Sequence, residues 1–231
     1  MSKYSIENFV AATADKAEGT EVFELENDYL LDIHVNGEVK AKRGSMVAYT
    51  GNISFEKESS LGQGVGKFLK KKLTGEGATM MDCSGNGHLY VADEGKEIAI
   101  LALENDTIFV NGNDVLAFET SLDWDITMMS NAGYAAGGLF NMKISGTGMV
   151  AITTHFKPLT LRVTPDSPVY TDPQATVAWS EGLSVDSKVD ASLKTFIGKS
   201  SGETFQLVFR GNGFVIIQPF EEIPATAQEQ Y

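Results

Sequence analysis

Apolar and polar positions alternate over short stretches along most of this chain. "LFNMKISG" at 139–146 and "TFQLVFRG" at 204–211 change character with a period near two, and "HLYVA" at 88–92 and "FVIIQ" at 214–218 are β-branched or aromatic runs. Such stretches, bounded by polar turn residues, predict strands. In "NDTIFVNGNDVLAFET", Asn111-Gly112 stands between two apolar stretches and predicts a hairpin. Helical spacing is confined to two connections, "GKFLKKKL" at 66–73 and "DASLKTFI" at 190–197, the second with Asp190 or Ser192 as its cap. "TPDSPVYTDPQA" at 164–175 carries Pro165, Pro168 and Pro173 and reads as turn or sheet edge, because proline donates no ladder hydrogen bond. The tail at 225–231 is expected to be disordered.

The strand pattern recurs. "SGNGHLYVA" at 84–92, "SGTGMVAIT" at 145–153 and "RGNGFVIIQ" at 210–218 share a G-x-G followed by apolar residues: Gly85 and Gly87, Gly146 and Gly148, Gly211 and Gly213. Interleaved with them are "MVAYTGNI", "VLAFETSL" and "TVAWSEGL", which place the pairs Ala48-Tyr49, Ala117-Phe118 and Ala178-Trp179. Both series step by about sixty residues, which marks an internal repeat. The expectation is an all-β chain of three β-sandwich pseudo-repeats in one domain over 1–224, with units at about 20–92, 93–153 and 154–220. One such unit is marginal alone, whereas three bury their apolar faces against one another. Closure about a pseudo-threefold axis is preferred over an open stack, since closure hides strand edges. The glycine pairs then read as a structural signature, required for backbone torsion or close chain approach.

Composition narrows the functional classes. The 231 residues are 42% hydrophobic and 21% charged, an ordinary globular balance. No apolar run reaches the roughly 20 residues of a membrane-spanning helix. The first residues, "MSKYSIENFVAATADKAEG", lack a secretory signal pattern, and one cysteine, Cys83, forms no internal disulfide, so a cytoplasmic location is expected. Eighteen Lys and Arg against 31 Asp and Glu give a net charge of −13, which disfavours nucleic acid as a partner.

The segments "KRGSMVAYTGNISFE" and "GQGVGKFLKKKLTGEG", together with the repeated G-x-G and strand, resemble the altered-inheritance-of-mitochondria family. The resemblance spans about residues 20–220, and G-S-M-V and T-G-E-G are its more specific parts. It implies a fold like the tryptophan RNA-binding attenuator protein (TRAP), in attenuator-like repeats. The family's bacterial members have no established activity. Its mitochondrial members are linked to organisation of the inner membrane, a role not transferred here because the chain shows no transit-peptide pattern. It supplies no catalytic residue to carry over.

Tests for chemistry return little. "LGQGVGK" at 61–67 lacks both the first glycine of a phosphate loop, having Leu61, and the hydroxyl after the lysine, having Phe68. "GKSSG" around Ser200 fits a nucleophile-elbow spacing, but its flanks suggest helix then strand, the reverse of the required order. The histidines are His34, His88 and His155, with no H-x-H pair for an iron or manganese site. His88 aligns with Met149 and Phe214 in the other units, which favours packing. Cys83 aligns with Lys143 or Ile144 and with Val208 or Phe209, a strand position. Lys67, Lys70, Lys71 and Lys72 form a basic patch beside Phe68, Leu69 and Leu73. It fits an acidic partner, an anionic membrane surface or a nucleic acid, but a solvated helix face packed on the sheet is preferred.

The leading expectation is a non-enzymatic β-rich binding or scaffold protein, self-associating or bound to another protein, with no catalytic residue, metal or cofactor. The first alternative is a metal-dependent enzyme whose β-barrel pocket draws His34, His88 or His155 together with carboxylates distant in sequence. The second is nucleic-acid or anionic-surface binding through the lysine patch.

Overall fold

A computed structural model describes residues 2–16, 19–57, 80–128, 140–189 and 205–221. Helix α1 (Ile6–Thr13) is followed by fifteen strands: β1 (Phe23–Asn27), β2 (Leu30–Lys42), β3 (Met46–Tyr49), β4 (Asn52–Lys57), β5 (Met80–Val91), β6 (Glu97–Asn111), β7 (Val115–Glu119), β8 (Asp123–Met128), β9 (Phe140–Thr154), β10 (Leu159–Val163), β11 (Val169–Thr171), β12 (Thr176–Ser180), β13 (Leu183–Val189), β14 (Phe205–Gly211) and β15 (Gly213–Ile217). The protein is all-β apart from α1 and two 3-10 turns among the described residues. The expected helices at 66–73 and 190–197, the lysines at 67–72 and the tail at 225–231 lie outside those residues. Helix α1, capped by the Ser5 side chain on the Asn8 amide, lies where no helix was expected and buries none of its residues.

One pairing scheme occurs three times. A long strand, β5, pairs antiparallel with β2 on one edge and with β3 and then β4 on the other. Strand β9 does the same with β6, then β7 and β8. In the last third the long strands are split: β15 pairs with β10 and β12, and β14 with β11 and β13. The register shifts at the same point each time, between Met46 and Ala48, Val115 and Ala117, and Thr176 and Ala178. A bulge therefore sits just before each alanine-aromatic pair.

The glycine pairs mark the place where the outer partner changes. Along β5, Leu89 faces Tyr49 of β3, whereas Asn86 faces Asn52 of β4. The turn between those two strands crosses the backbone at Gly85 and Gly87, whose φ angles are 138° and 152°. A Cβ at Gly85 would collide with the Asn52 carbonyl oxygen, and one at Gly87 with that of Thr50. At the third site the strand ends at Gly211 and restarts at Gly213, in a different sheet. The pair is thus a sheet corner, a place where glycine suits both the bend and the close approach.

The units join edge to edge. Val39, Lys40 and Ala41 of β2 face Glu119, Phe118 and Ala117 of β7, and Ile108, Phe109 and Val110 of β6 face Ser180, Trp179 and Ala178 of β12. One buried and one half-buried ion pair reinforce the first connection: Lys96 holds Asp114 at 2.9 Å, and Lys42 binds both Asp93 carboxylate oxygens and the Asn113 carbonyl. At the second, Phe109 stacks on Trp179 with centroids 5.6 Å apart.

One expectation is corrected. Asn111-Gly112 does not turn a hairpin: Asn111 caps a 3-10 turn over Gly112–Asp114, and β6 and β7 pair with other strands. A hairpin would leave the β7 edge unable to serve both β9 and β2. Among the described residues β3 and β11 are not paired with each other: β3 ends the larger sheet and β11 stands at one edge of the smaller.

Replacing Gly85 by valine combines a disfavoured φ with a backbone collision, so Gly85→Val should lower unfolding free energy by about 3 kcal/mol or more. Chemical denaturation of the purified variant measures it.

Candidate functional site

Strands alternate their side chains, so residues two apart on β2 and on β5 share a face. The register sets Asp32 opposite Tyr90 and His34 opposite His88, while Ile33 and Leu89 point to the other side and are fully buried. The resulting polar square lies on one face of the first unit. In the second unit, the ladder puts Ile100, Ala102, Met149 and Ala151 at the same places. In the third they are Thr160, Arg162, Phe214 and Ile216. The alignment of His88 with Met149 and Phe214 therefore holds, yet only the first unit has an acid and two imidazoles there.

Asp32 is the centre of the group. Its Oδ2 accepts a hydrogen bond from His88 Nδ1 at 2.9 Å and lies 3.3 Å from His34 Nε2. The second contact is within ion-pair range but misaligned for hydrogen bonding, and His34 Nε2 has no hydrogen-bond partner. Asp32 Oδ1 has none either, although the Asp32 side chain is only 8% exposed. Buried polar atoms are nearly always satisfied, so two orphans beside one another need an explanation. The imidazoles are 23% and 26% exposed and meet edge to face with centroids 4.6 Å apart, which leaves the group open to solvent on one side.

One ligand atom from each of Asp32, His34 and His88 lies within 4.8 Å of the others. A tetrahedral ion with bonds of about 2.0 Å needs donors roughly 3.3 Å apart, close to the separations around Asp32 Oδ2. Two imidazoles and one carboxylate suit zinc, iron or another divalent transition ion and leave coordination positions for water or a further ligand. His34 and His88 form no H-x-H pair along the chain; their pairing is made across the ladder of β2 and β5. The local signal was Asp32-x-His34. His155 is elsewhere, with its ring 4.0 Å from that of Phe220 and its amide donating to Gln218 Oε1.

Comparison with known proteins now defines the wider context. The family model described as mitochondrial biogenesis AIM24 matches residues 23–220. The chain belongs to the AIM24 family. Comparison with curated proteins gives no match. Protein SPYM3_0169 from Streptococcus pyogenes, solved by X-ray crystallography, is 23% identical with a TM-score of 0.65, over 86% of this chain and 92% of that one. At that identity the likeness shows the shared AIM24 fold alone. The Asp32, His34 and His88 constellation of this AIM24 chain is read from its own geometry. No helix among the described residues is long and apolar enough to cross a membrane.

Cys83 is fully buried on β5, opposite Val39, and its equivalents by register are Ile144 and Phe209. Burial, then the Asp82 carboxylate, push its thiol up from 9.0 to about 12, opposed by Lys40. Such a thiol is not a nucleophile at neutral pH. In the unfolded chain it ionises at its ordinary value, so folding retains a proton between about pH 9 and about pH 12 and stability falls across that window. Thiol labelling at neutral pH should proceed only through unfolding, and Cys83→Ala should flatten the alkaline fall in melting temperature.

Proposed function

We propose that this protein is a non-enzymatic, self-associating β-rich scaffold whose first unit binds one divalent transition-metal ion through Asp32, His34 and His88. The observation that carries the metal reading is the buried Asp32 carboxylate, with Oδ1 unpartnered and Oδ2 between two imidazole nitrogens. A cation held by Asp32 Oδ2 and the two imidazole nitrogens would give His34 Nε2 a partner and replace the proton shared with His88.

The scaffold reading treats the chain as one domain of three attenuator-like units, about 20–92, 93–153 and 154–220. The recurring pairing and the common bulge support it. The metal then orders the first unit, binding a cross-strand pair at the free face. The single buried cysteine accords with a reducing, cytoplasmic compartment. The enzyme reading stands second, because three protein ligands leave a coordination position open. Reproducible turnover lost with the metal ligands would favour it.

Titration of metal-free protein with Zn²⁺ or Co²⁺ is expected to show one ion per chain. Co²⁺ should give visible absorption bands from nitrogen and oxygen ligation. His34→Ala and His88→Ala should each weaken uptake at least tenfold while the variants still fold. Absence of stoichiometric uptake by the wild-type chain would remove the metal reading.

A further inference from the structure

We propose that a second copy of this chain docks head to tail, adding its β3 to the outer edge of β11. The contact names the surface behind the self-association proposed above and rests on that scaffold reading. It repeats, between molecules, the junction that the chain already makes twice within itself.

The first argument is burial. At the two internal junctions the bulged strand is enclosed: Val115, Leu116 and Phe118 of β7 are at 0% exposure, and Thr176, Val177 and Trp179 of β12 are at 2%, 0% and 5%. Their counterparts on β3 are open, with Met46 at 43%, Val47 at 60% and Tyr49 at 47%. Strand β3 nonetheless keeps the same bulge and the same pairing to its long neighbour. A ring contact recurs at the same place, since Tyr49 meets Phe55 edge to face and Phe118 meets Trp124 at a tilt. What β3 lacks among the described residues is a neighbour on its outer edge.

The second argument is the state of the cores. Each internal junction gives the preceding unit two side chains: Leu116 and Ala117 of β7 join the core of the first unit, and Val177 and Ala178 of β12 join that of the second. Among the described residues the third core has five buried members, Val163, Trp179, Leu207, Phe209 and Val215, and receives no strand from a following unit. Val47 and Ala48 hold the donating positions on β3. An exposed donor strand and an undersupplied core thus stand at opposite ends of the same chain.

The third argument is register. Val39, Ile108 and Val169 occupy one position, facing Cys83, Ile144 and Phe209, each two residues before the first glycine of its pair. Carrying the internal pairing to the third unit sets Val169, Tyr170 and Thr171 opposite Thr50, Tyr49 and Ala48 of the second copy. Among the described residues strand β11 has a free outer edge, since its sheet runs β11-β14-β13. Tyr170, 50% exposed, stands where Phe109 stands at the second junction, and Tyr49 where Trp179 stands. The intermolecular contact therefore stacks Tyr170 against Tyr49 as Phe109 stacks on Trp179. Lys188, 5.6 Å from the Tyr170 ring centroid, covers part of that ring in the single chain.

Different patches meet in this contact, so it is heterologous and propagates as a ring or a filament according to the rotation per copy. Each copy carries −13 charges, so added salt should strengthen association by screening their repulsion.

Sedimentation velocity over a concentration series tests the proposal. The wild-type chain should form higher species as concentration and salt rise. Val47→Glu and Tyr170→Glu should each reduce association at least tenfold, because each spoils one end. An equimolar mixture of the two should restore a dimer, since the intact β11 of the first variant meets the intact β3 of the second. Val47→Ser and Tyr170→Ser repeat the comparison without an introduced charge. A wild-type chain that stays monomeric, or a mixture that stays monomeric while both variants melt like the wild type, would overturn the proposal. Both variants leave Asp32, His34 and His88 intact, so metal uptake and assembly can fail separately.

Discussion

A short strand with a bulge before its alanine serves two cores at once. On β7, Val115 and Phe118 pack into the second core while Leu116 and Ala117 pack into the first. The extra residue at the bulge lets neighbouring side chains diverge in this way, because it breaks strict alternation at one point. Without it, the strand would offer its apolar side chains to one layer, and the other layer would end on polar groups. The glycine corners, the split of the last long strands and the edge-to-edge joining of units all follow from the need to bring that strand between two layers.

The same scaffold explains why a polar group is tolerated in the first unit. Equivalent ladder positions hold Ile100, Ala102, Met149 and Ala151 in the second unit, so an apolar solution fits the backbone. The first unit instead places a nearly buried carboxylate between two imidazoles, at a cost in desolvation that apolar residues would avoid. Ion pairs around Asp93 and Asp114 belong to a different class: Lys42 and Lys96 meet those carboxylates directly, which makes them part of the joint between units.

The repeat was legible because spacing survives in sequence: glycine pairs and alanine-aromatic pairs kept their order and their separation. The strand class was legible from alternation. The hairpin at Asn111-Gly112 misled because a turn dipeptide reports local geometry, whereas the partner of β7 is chosen by a core far along the chain. Helix α1 leaves little trace in the pattern because "IENFVAAT" is short and buries none of its residues. The site was half visible. His34 and His88 are separated by a long connection, and only the pairing of β2 with β5 makes them neighbours, a fact of register that a single sequence does not display. Asp32-x-His34, two ligand types on one strand face, was the available hint.

The two internal joints differ in chemistry, and that difference gives the molecule a thermal asymmetry. The first adds carboxylate–ammonium pairs to its buried aliphatic contacts, the second adds stacked aromatic rings to its own. Apolar contacts weaken on cooling, whereas the penalty for dehydrating charges shrinks on heating. On warming, the dehydration penalty keeps shrinking while apolar stabilisation levels off, so the balance of cohesion shifts toward the joint between the first two thirds of the chain. One polypeptide, built by repeating a single scheme, thereby contains seams that gain unequally from warming.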